Sequence, residues 1–227
     1  MHNSERHILG AFNTALSQLQ NDTLMMASLT QRLLQNAMNG LLKRDEQLCN
    51  VSIADDEEID HLEKQVDKDG IELLRRFQPV ASDLRQVVAA MKLANNLERI
   101  GDQAVGIARK ARKLNSTALL PEVQLLEPMF NEVISMLRDS MSAFTDGNTE
   151  IALTIKPRDR KVDALNAQLA ETITEKMAQL PDRITDYLNL IFIARHLERA
   201  GDHATNIAED AVYAEAAEDI RHTNPVP

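Results

Sequence analysis

Residues 93–108 read LANNLERIGDQAVGIA, and residues 193–208 read IARHLERAGDHATNIA. Nine of the sixteen aligned positions are identical, from Ala94/Ala194 to Ala108/Ala208, where chance at ordinary residue frequencies gives roughly one. The chain is an internal duplication, and its repeated core is Leu-Glu-Arg-x-Gly-Asp. A repeat that keeps two acids as well as its apolar residues points to a site built twice.

The segment before each copy is helical in pattern. In residues 4–48, Phe12, Leu16, Leu19, Met26, Leu33, Ala37 and Leu41 recur on one stripe, predicting a single long amphipathic helix. A second helix is expected over 55–77, with Ile59, Leu62, Val66 and Leu73 inward, stopping at Gln78-Pro79. Ser82 or Asp83 is the expected cap of a third, which carries Glu98 and Asp102 and ends near Leu114. After Asn115-Ser116-Thr117 a fourth begins at Pro121 and bends or restarts at Pro128. The Asp146-Gly147-Asn148 turn leads to a fifth, over about 149–180. Pro157 lies inside it at a cost of about 3 kcal/mol in a continuous helix, which predicts a kink or fresh start there. Pro181-Asp182 opens a sixth that reaches about Ala217, and residues 223–227 read as a disordered tail.

The expected fold is all-α: two tandem antiparallel three-helix bundles related by the duplication. They occupy residues 1–115 and 121–217, followed by a tail over 218–227. Seven glycines, seven prolines and 3% aromatics in 227 residues favour helices around an aliphatic, Met-containing core. The long first helix suits packing across both halves, and it leaves a homodimer open. No apolar run is long enough to span a membrane. The N-terminal MHNSERHILG lacks the layout of a secretory signal, so the expected location is the cytoplasm. A lone Cys49 excludes an internal disulfide. The formal net charge of −10 argues against nucleic acid and against adsorption to anionic lipid. It suits a cation or a partner with a basic face.

The chemistry resides in acidic pairs. Glu98 and Asp102 are one helical turn apart on one face, and Glu198 and Asp202 repeat them. One such pair means little, because 35 acids in 227 residues give roughly five at that spacing by chance. The preceding helix of each half supplies another: Asp56/Asp60 in DEEIDHL and Asp159/Asp163 in DRKVDAL. Where two helices meet at those levels, four carboxylates converge and repel one another unless a cation intervenes. An oxygen-only donor set suits magnesium, calcium, manganese or iron, and disfavours zinc because no Cys or His is placed as a ligand. Gly101 and Gly201 suggest close helix approach, and Arg99 and Arg199 could brace the carboxylates or remain solvated. His61, His196 and His203 are expected at the surface. No basic pocket for phosphate, Gly-rich loop or nucleophile elbow is visible. A metal-dependent hydrolase needs an open coordination position and a general base, and the sequence shows no clear base. A purely structural helical module would leave its acids solvated.

These residues resemble the PhoU family of phosphate-uptake regulators over nearly the whole chain. The resemblance is carried by both Leu-Glu-Arg-x-Gly-Asp copies, both D-x-x-x-D motifs, Gln78-Pro79-Val80-Ala81-Ser82-Asp83-Leu84-Arg85, residues 203–209 (HATNIAE), and Asp219-Ile220-Arg221-His222. Two positions depart from the family pattern: Phe77 stands where arginine is common, and Pro157 precedes Asp159. The resemblance implies a cytoplasmic negative regulator of the phosphate-starvation response, not an enzyme. It implies an adaptor between the ATPase of a phosphate ABC transporter and a sensor histidine kinase. It also implies multinuclear metal, of iron or other divalent ions, on Asp56, Asp60, Glu98, Asp102, Asp159, Asp163, Glu198 and Asp202.

Overall fold

The computed structural model describes residues 2–221, with side chains from Gly10 onward. Helix α1 (His2–Leu42) carries the long apolar stripe, and Phe12, Leu16, Leu19, Met26, Leu33, Ala37 and Leu41 are all buried. It ends earlier than its pattern predicts. Arg44 turns left-handed, and Asp45 caps a separate short helix, α2 (Glu46–Ala54), accepting from the N–H groups of Gln47 and Leu48 at 2.9 and 3.2 Å. The added turn lets Cys49 pack onto Gly40, where no Cβ would fit beside its Sγ. Burial pushes the Cys49 thiol up to about 11, so it stays protonated.

Helix α3 (Asp56–Phe77) buries Ile59, Val66 and Leu73, with Leu62 partly covered, and ends on a left-handed Gln78 before Pro79. Phe77 closes the far end of this bundle by meeting Phe12 edge-on, with ring centroids 5.6 Å apart. Helix α4 (Ala81–Asn115) starts just before the expected cap, and neither Ser82 nor Asp83 caps it by a side-chain hydrogen bond. Its end is tied instead by Arg44, which donates to the carbonyls of Asn115 and Thr117, both at 2.7 Å.

The second half opens with a 3-10 turn at Pro121–Leu126 and restarts as α5 (Glu127–Asp146), with Pro128 in its first turn. Gly147 in the left-handed region ends it, and Asn148 caps α6 (Thr149–Gln179). Helix α6 runs through Pro157 without the expected restart. The proline and the residue whose carbonyl it leaves unbonded, Leu153, both face solvent, while Ile155 and Val162 anchor the buried side. A second 3-10 turn at Pro181–Arg183 leads into α7 (Ile184–Ala216). The described residues after it, 217–221, form no helix, and residues 223–227, the expected disordered tail, lie outside those described.

Contacts fix the directions. Phe12 meets Phe77 and Arg32 meets Asp55, so α1 and α3 are antiparallel. The Thr30 hydroxyl donates to the Leu97 carbonyl at 3.3 Å while Arg44 reaches the end of α4, so α1 and α4 are parallel. The second half repeats this arrangement, with Arg158 of α6 bound to Glu132 and Asp139 of α5. The halves join along α4 and α7, which pack antiparallel and bury Leu93, Leu97, Ile100, Leu190, Ile193 and Leu197. One apolar core therefore runs through both bundles.

Candidate metal centre

Each acidic motif lies where its helix meets its neighbour. A Cβ placed on Gly101 would stand 3.2 Å from Asp56 Oδ1 and 3.3 Å from Ile59 Cδ1. A Cβ on Gly201 would stand 3.5 Å from Asp159 Oδ1 and 3.6 Å from Val162 Cγ1. Each repeated glycine thus admits the first acid of the facing motif, on α3 or α6. The halves match at six of the acids, Asp56, Glu98, Asp159 and Glu198 being half-buried and Asp102 and Asp202 the more open though partly desolvated, but Asp60 is half-buried where Asp163 is exposed.

The carboxylates sense one another. Burial first, then the charges of Asp60 and Asp102, raise Asp56 to about 6, against the pull of Arg109. Burial and Asp102 raise Glu98 to about 7, with Glu63 and Asp60 adding to the push and Arg99 opposing it. In the second half, burial, Asp202 and Asp163 raise Asp159 to about 6. Asp202 is raised by burial, Glu198 and Asp163. Within the acidic motifs, Glu98 Oε2 and Asp159 Oδ1 are buried without a hydrogen bond. Arg99 Nε approaches Glu98 Oε2 at 3.2 Å without aligning to it, and its Nη1 is 3.5 Å from Asp102. The Thr205 hydroxyl near Asp159 also falls short of hydrogen-bonding geometry.

The donors fit a hard cation chemically: all are carboxylate oxygens, charge-stressed, with an orphaned buried oxygen in each half. As they stand, no three Asp, Glu, His or Cys among the described residues close around a single ion. The arrangement is two acidic clusters on helix seams, not a finished cage.

The sequence missed two members of the first cluster. Glu63 accepts from Asn95 at 3.4 Å and presses on Glu98. It continues the Asp56/Asp60 stripe, but the corresponding residue of the second half is Asn166, so a search for duplicated acids passes over it. Arg109 is the cation beside Asp56, and its repeat equivalent is Glu209.

His61 is exposed as expected, but His196 and His203 are not surface residues. Both lie half-buried in the α4/α7 seam, each facing an amide. His196 Nδ1 is 2.9 Å from Gln103 Oε1, and His203 Nδ1 is 3.0 Å from Asn96 Oδ1. Burial lowers both imidazoles below their usual range, with Arg199 adding to it. The duplication aligns residue 96 with 196 and 103 with 203, so the two contacts are copies of one another. Gly106 makes room for the His196 ring, on which a Cβ would collide.

The family model described as "PhoU domain" matches the chain twice, over residues 23–111 and 126–211. The chain belongs to the PhoU family. It is 32% identical over 217 residues to the Pseudomonas aeruginosa protein named "Phosphate-specific transport system accessory protein PhoU homolog", covering 95% of this chain and 90% of that one. The Clostridium acetobutylicum protein of the same name is 32% identical over 203 residues, covering 89% and 93%. The crystal structure of PhoU from Pseudomonas aeruginosa superimposes with a TM-score of 0.89 at 31% identity, over 91% of this chain and all of that one. That of "the phosphate transport system regulatory protein PhoU" from Streptococcus pneumoniae gives 0.83 at 28% identity, over 92% and 99%. The all-α duplicated fold is therefore that of PhoU, and no helix among the described residues is long and apolar enough to cross a membrane.

Proposed function

We propose that this PhoU-family chain is a cytoplasmic negative regulator of phosphate uptake, acting as an adaptor between the transporter's ATPase subunit and a sensor histidine kinase. The observation that carries the role is the match along almost the whole chain to proteins named as accessory and regulatory components of phosphate transport. The carboxylate clusters add the second element. Asp56, Asp60, Glu98 and Asp102 would hold divalent cations in one half, and Asp159, Asp163, Glu198 and Asp202 in the other. Bound cations would relieve the repulsion that raises Asp56, Glu98, Asp159 and Asp202, and would stiffen the α3/α4 and α6/α7 seams. Helix surfaces held in that way form the partner-binding face, and no reaction is catalysed.

The test is equilibrium binding of the full chain to the ATPase subunit of its own organism's phosphate transporter. Saturable binding is expected for the natural protein, with affinity at least tenfold weaker for a Glu98→Ala/Glu198→Ala variant. Absence of binding by the natural chain overturns the adaptor role. Equal binding by the variant removes the clusters from it.

A further inference from the structure

In a chain of net charge −10, one cleft of about 830 Å³ runs against the charge. It lies between the C-terminal turns of α4, the start of α2 and the middle of α7. Arg109, Lys110, Arg112 and Lys113 line it, at positions i, i+1, i+3 and i+4 of one helix. Over a rise of about 6 Å, Arg109 and Lys113 share one line of the helix and Lys110 and Arg112 flank it on either side. Among the described residues the Arg109 and Lys113 side chains make no hydrogen bond or ion pair, although the Arg109 charge acts on Asp56. Arg112 reaches only Glu46, at 3.5 Å, and Lys110 lies over the Phe192 ring at 4.6 Å.

A bland role for such residues is to complement the dipole at a helix end. Arg44 already fills it, donating to the carbonyls of Asn115 and Thr117. The duplication supplies an internal control. A second cleft, of about 600 Å³, is lined by Asn96, Asn206, Glu209 and Asp210, the counterparts of His196, Gly106, Arg109 and Lys110, though it opens towards α3, and the counterparts of Arg112 and Lys113, Val212 and Tyr213, do not line it. Its acids are matched: Asp210 binds Lys92 at 2.8 Å and Glu209 binds Lys156 at 3.4 Å. The copies have diverged to opposite sign, and the basic one sets four cations against Glu46, Asp56 and Asp102, with Arg109 and Lys113 held in no side-chain ion pair.

We infer that the α4 cleft binds a small phosphate-bearing anion. Paired arginine and lysine donors on one helix face match phosphoryl oxygens. The cleft's size is that of a small-molecule pocket, larger than orthophosphate alone needs. Ser116 also lines it, its hydroxyl donating to the Lys113 carbonyl at 2.7 Å, and Asp56 and Asp102 line another part, suited to the divalent cation that phosphate anions carry. Free phosphate and the phosphate chain of a nucleotide share this chemistry. The inference stands apart from the adaptor role, because it is read on the isolated chain and survives if partner binding fails.

The test is isothermal titration of the full-length protein with inorganic phosphate, pyrophosphate and ATP in separate runs, with magnesium and 0.1 M chloride (roughly a 10 Å screening length) throughout. An Arg109→Ala/Lys113→Ala variant is compared with a Lys64→Ala/Lys68→Ala variant, which loses the same charge from the exposed face of α3. Saturable binding of at least one probe, weakened tenfold or more only by the Arg109/Lys113 change, is expected. The probe that binds tells free phosphate from a phosphate chain. No binding of any probe, or equal weakening in both variants, overturns the assignment. Thermal melts of both variants confirm folding.

Discussion

His196 and Gln103 meet across the α4/α7 seam at 2.9 Å, and Asn96 and His203 repeat the contact at 3.0 Å with the roles exchanged between the halves. The seam is thus fastened by two copies of one polar contact. Burial lowers both imidazoles, which favours their neutral form in the seam.

A double-mutant cycle on His196→Ala and Gln103→Ala measures that fastening. Urea unfolding is expected to give a coupling energy of about 1 kcal/mol, the ordinary net worth of a partly buried hydrogen bond. Additive single effects would place the two side chains out of contact.

Gly101 and Gly201 answer differently to a methyl group. At Gly201 the nearest atom would be at an ordinary 3.5 Å, so Gly201→Ala is expected to gain up to about 1 kcal/mol from helix propensity. At Gly101 the contacts of 3.2 and 3.3 Å to Asp56 and Ile59 require movement, and Gly101→Ala is expected to lose about 1 kcal/mol. Denaturant midpoints decide it; a gain at Gly101 equal to that at Gly201 contradicts the close approach.

Pro157 lies in a continuous helix, on an exposed face shared with Leu153, whose carbonyl it leaves without its helical hydrogen bond. Pro157→Ala is expected to raise stability by about 1–3 kcal/mol, restoring one helical hydrogen bond without touching the core. An unchanged melting midpoint contradicts an uninterrupted α6.

Stability should depend on pH with a definite sign. Asp56, Glu98 and Asp159 titrate at about 6, 7 and 6 in the fold, above the range of an unfolded carboxylate. Between about pH 4 and 7 the folded chain therefore holds more protons on these groups than the unfolded chain. Their contribution falls as pH rises through that window. Lowered imidazoles act oppositely, losing stability as pH falls through about 6.5, so His196→Gln/His203→Gln is the background for the measurement. In that background the melting temperature of metal-free protein should decline from pH 5 to 7, and manganese at pH 7 should restore it. A flat profile unaffected by manganese contradicts clustered carboxylates.

Much of this fold was legible because duplication and helical periodicity are local properties of the chain. The α1 stripe from Phe12 to Leu41 is buried as its spacing implies, and Pro128 restarts the helix as its ring requires. The break at Leu42 was missed because apolar spacing continues past it, although Asp45 just before α2 was a readable cap. The acidic pairs declared themselves by occurring in both halves. Glu63, the seam histidines and the basic cleft did not, since each differs between the repeats and acquires meaning only where α4 meets α3, α2 or α7.

The proposed metal would sit on the acidic pairs of both halves. Elemental analysis of tag-free protein purified without chelator, beside Glu98→Ala/Glu198→Ala, tests it most directly. Divalent metal in the natural chain and its loss from the variant are the predicted result. Metal-free protein in both, even after manganese, magnesium and ferrous iron are supplied, would contradict it.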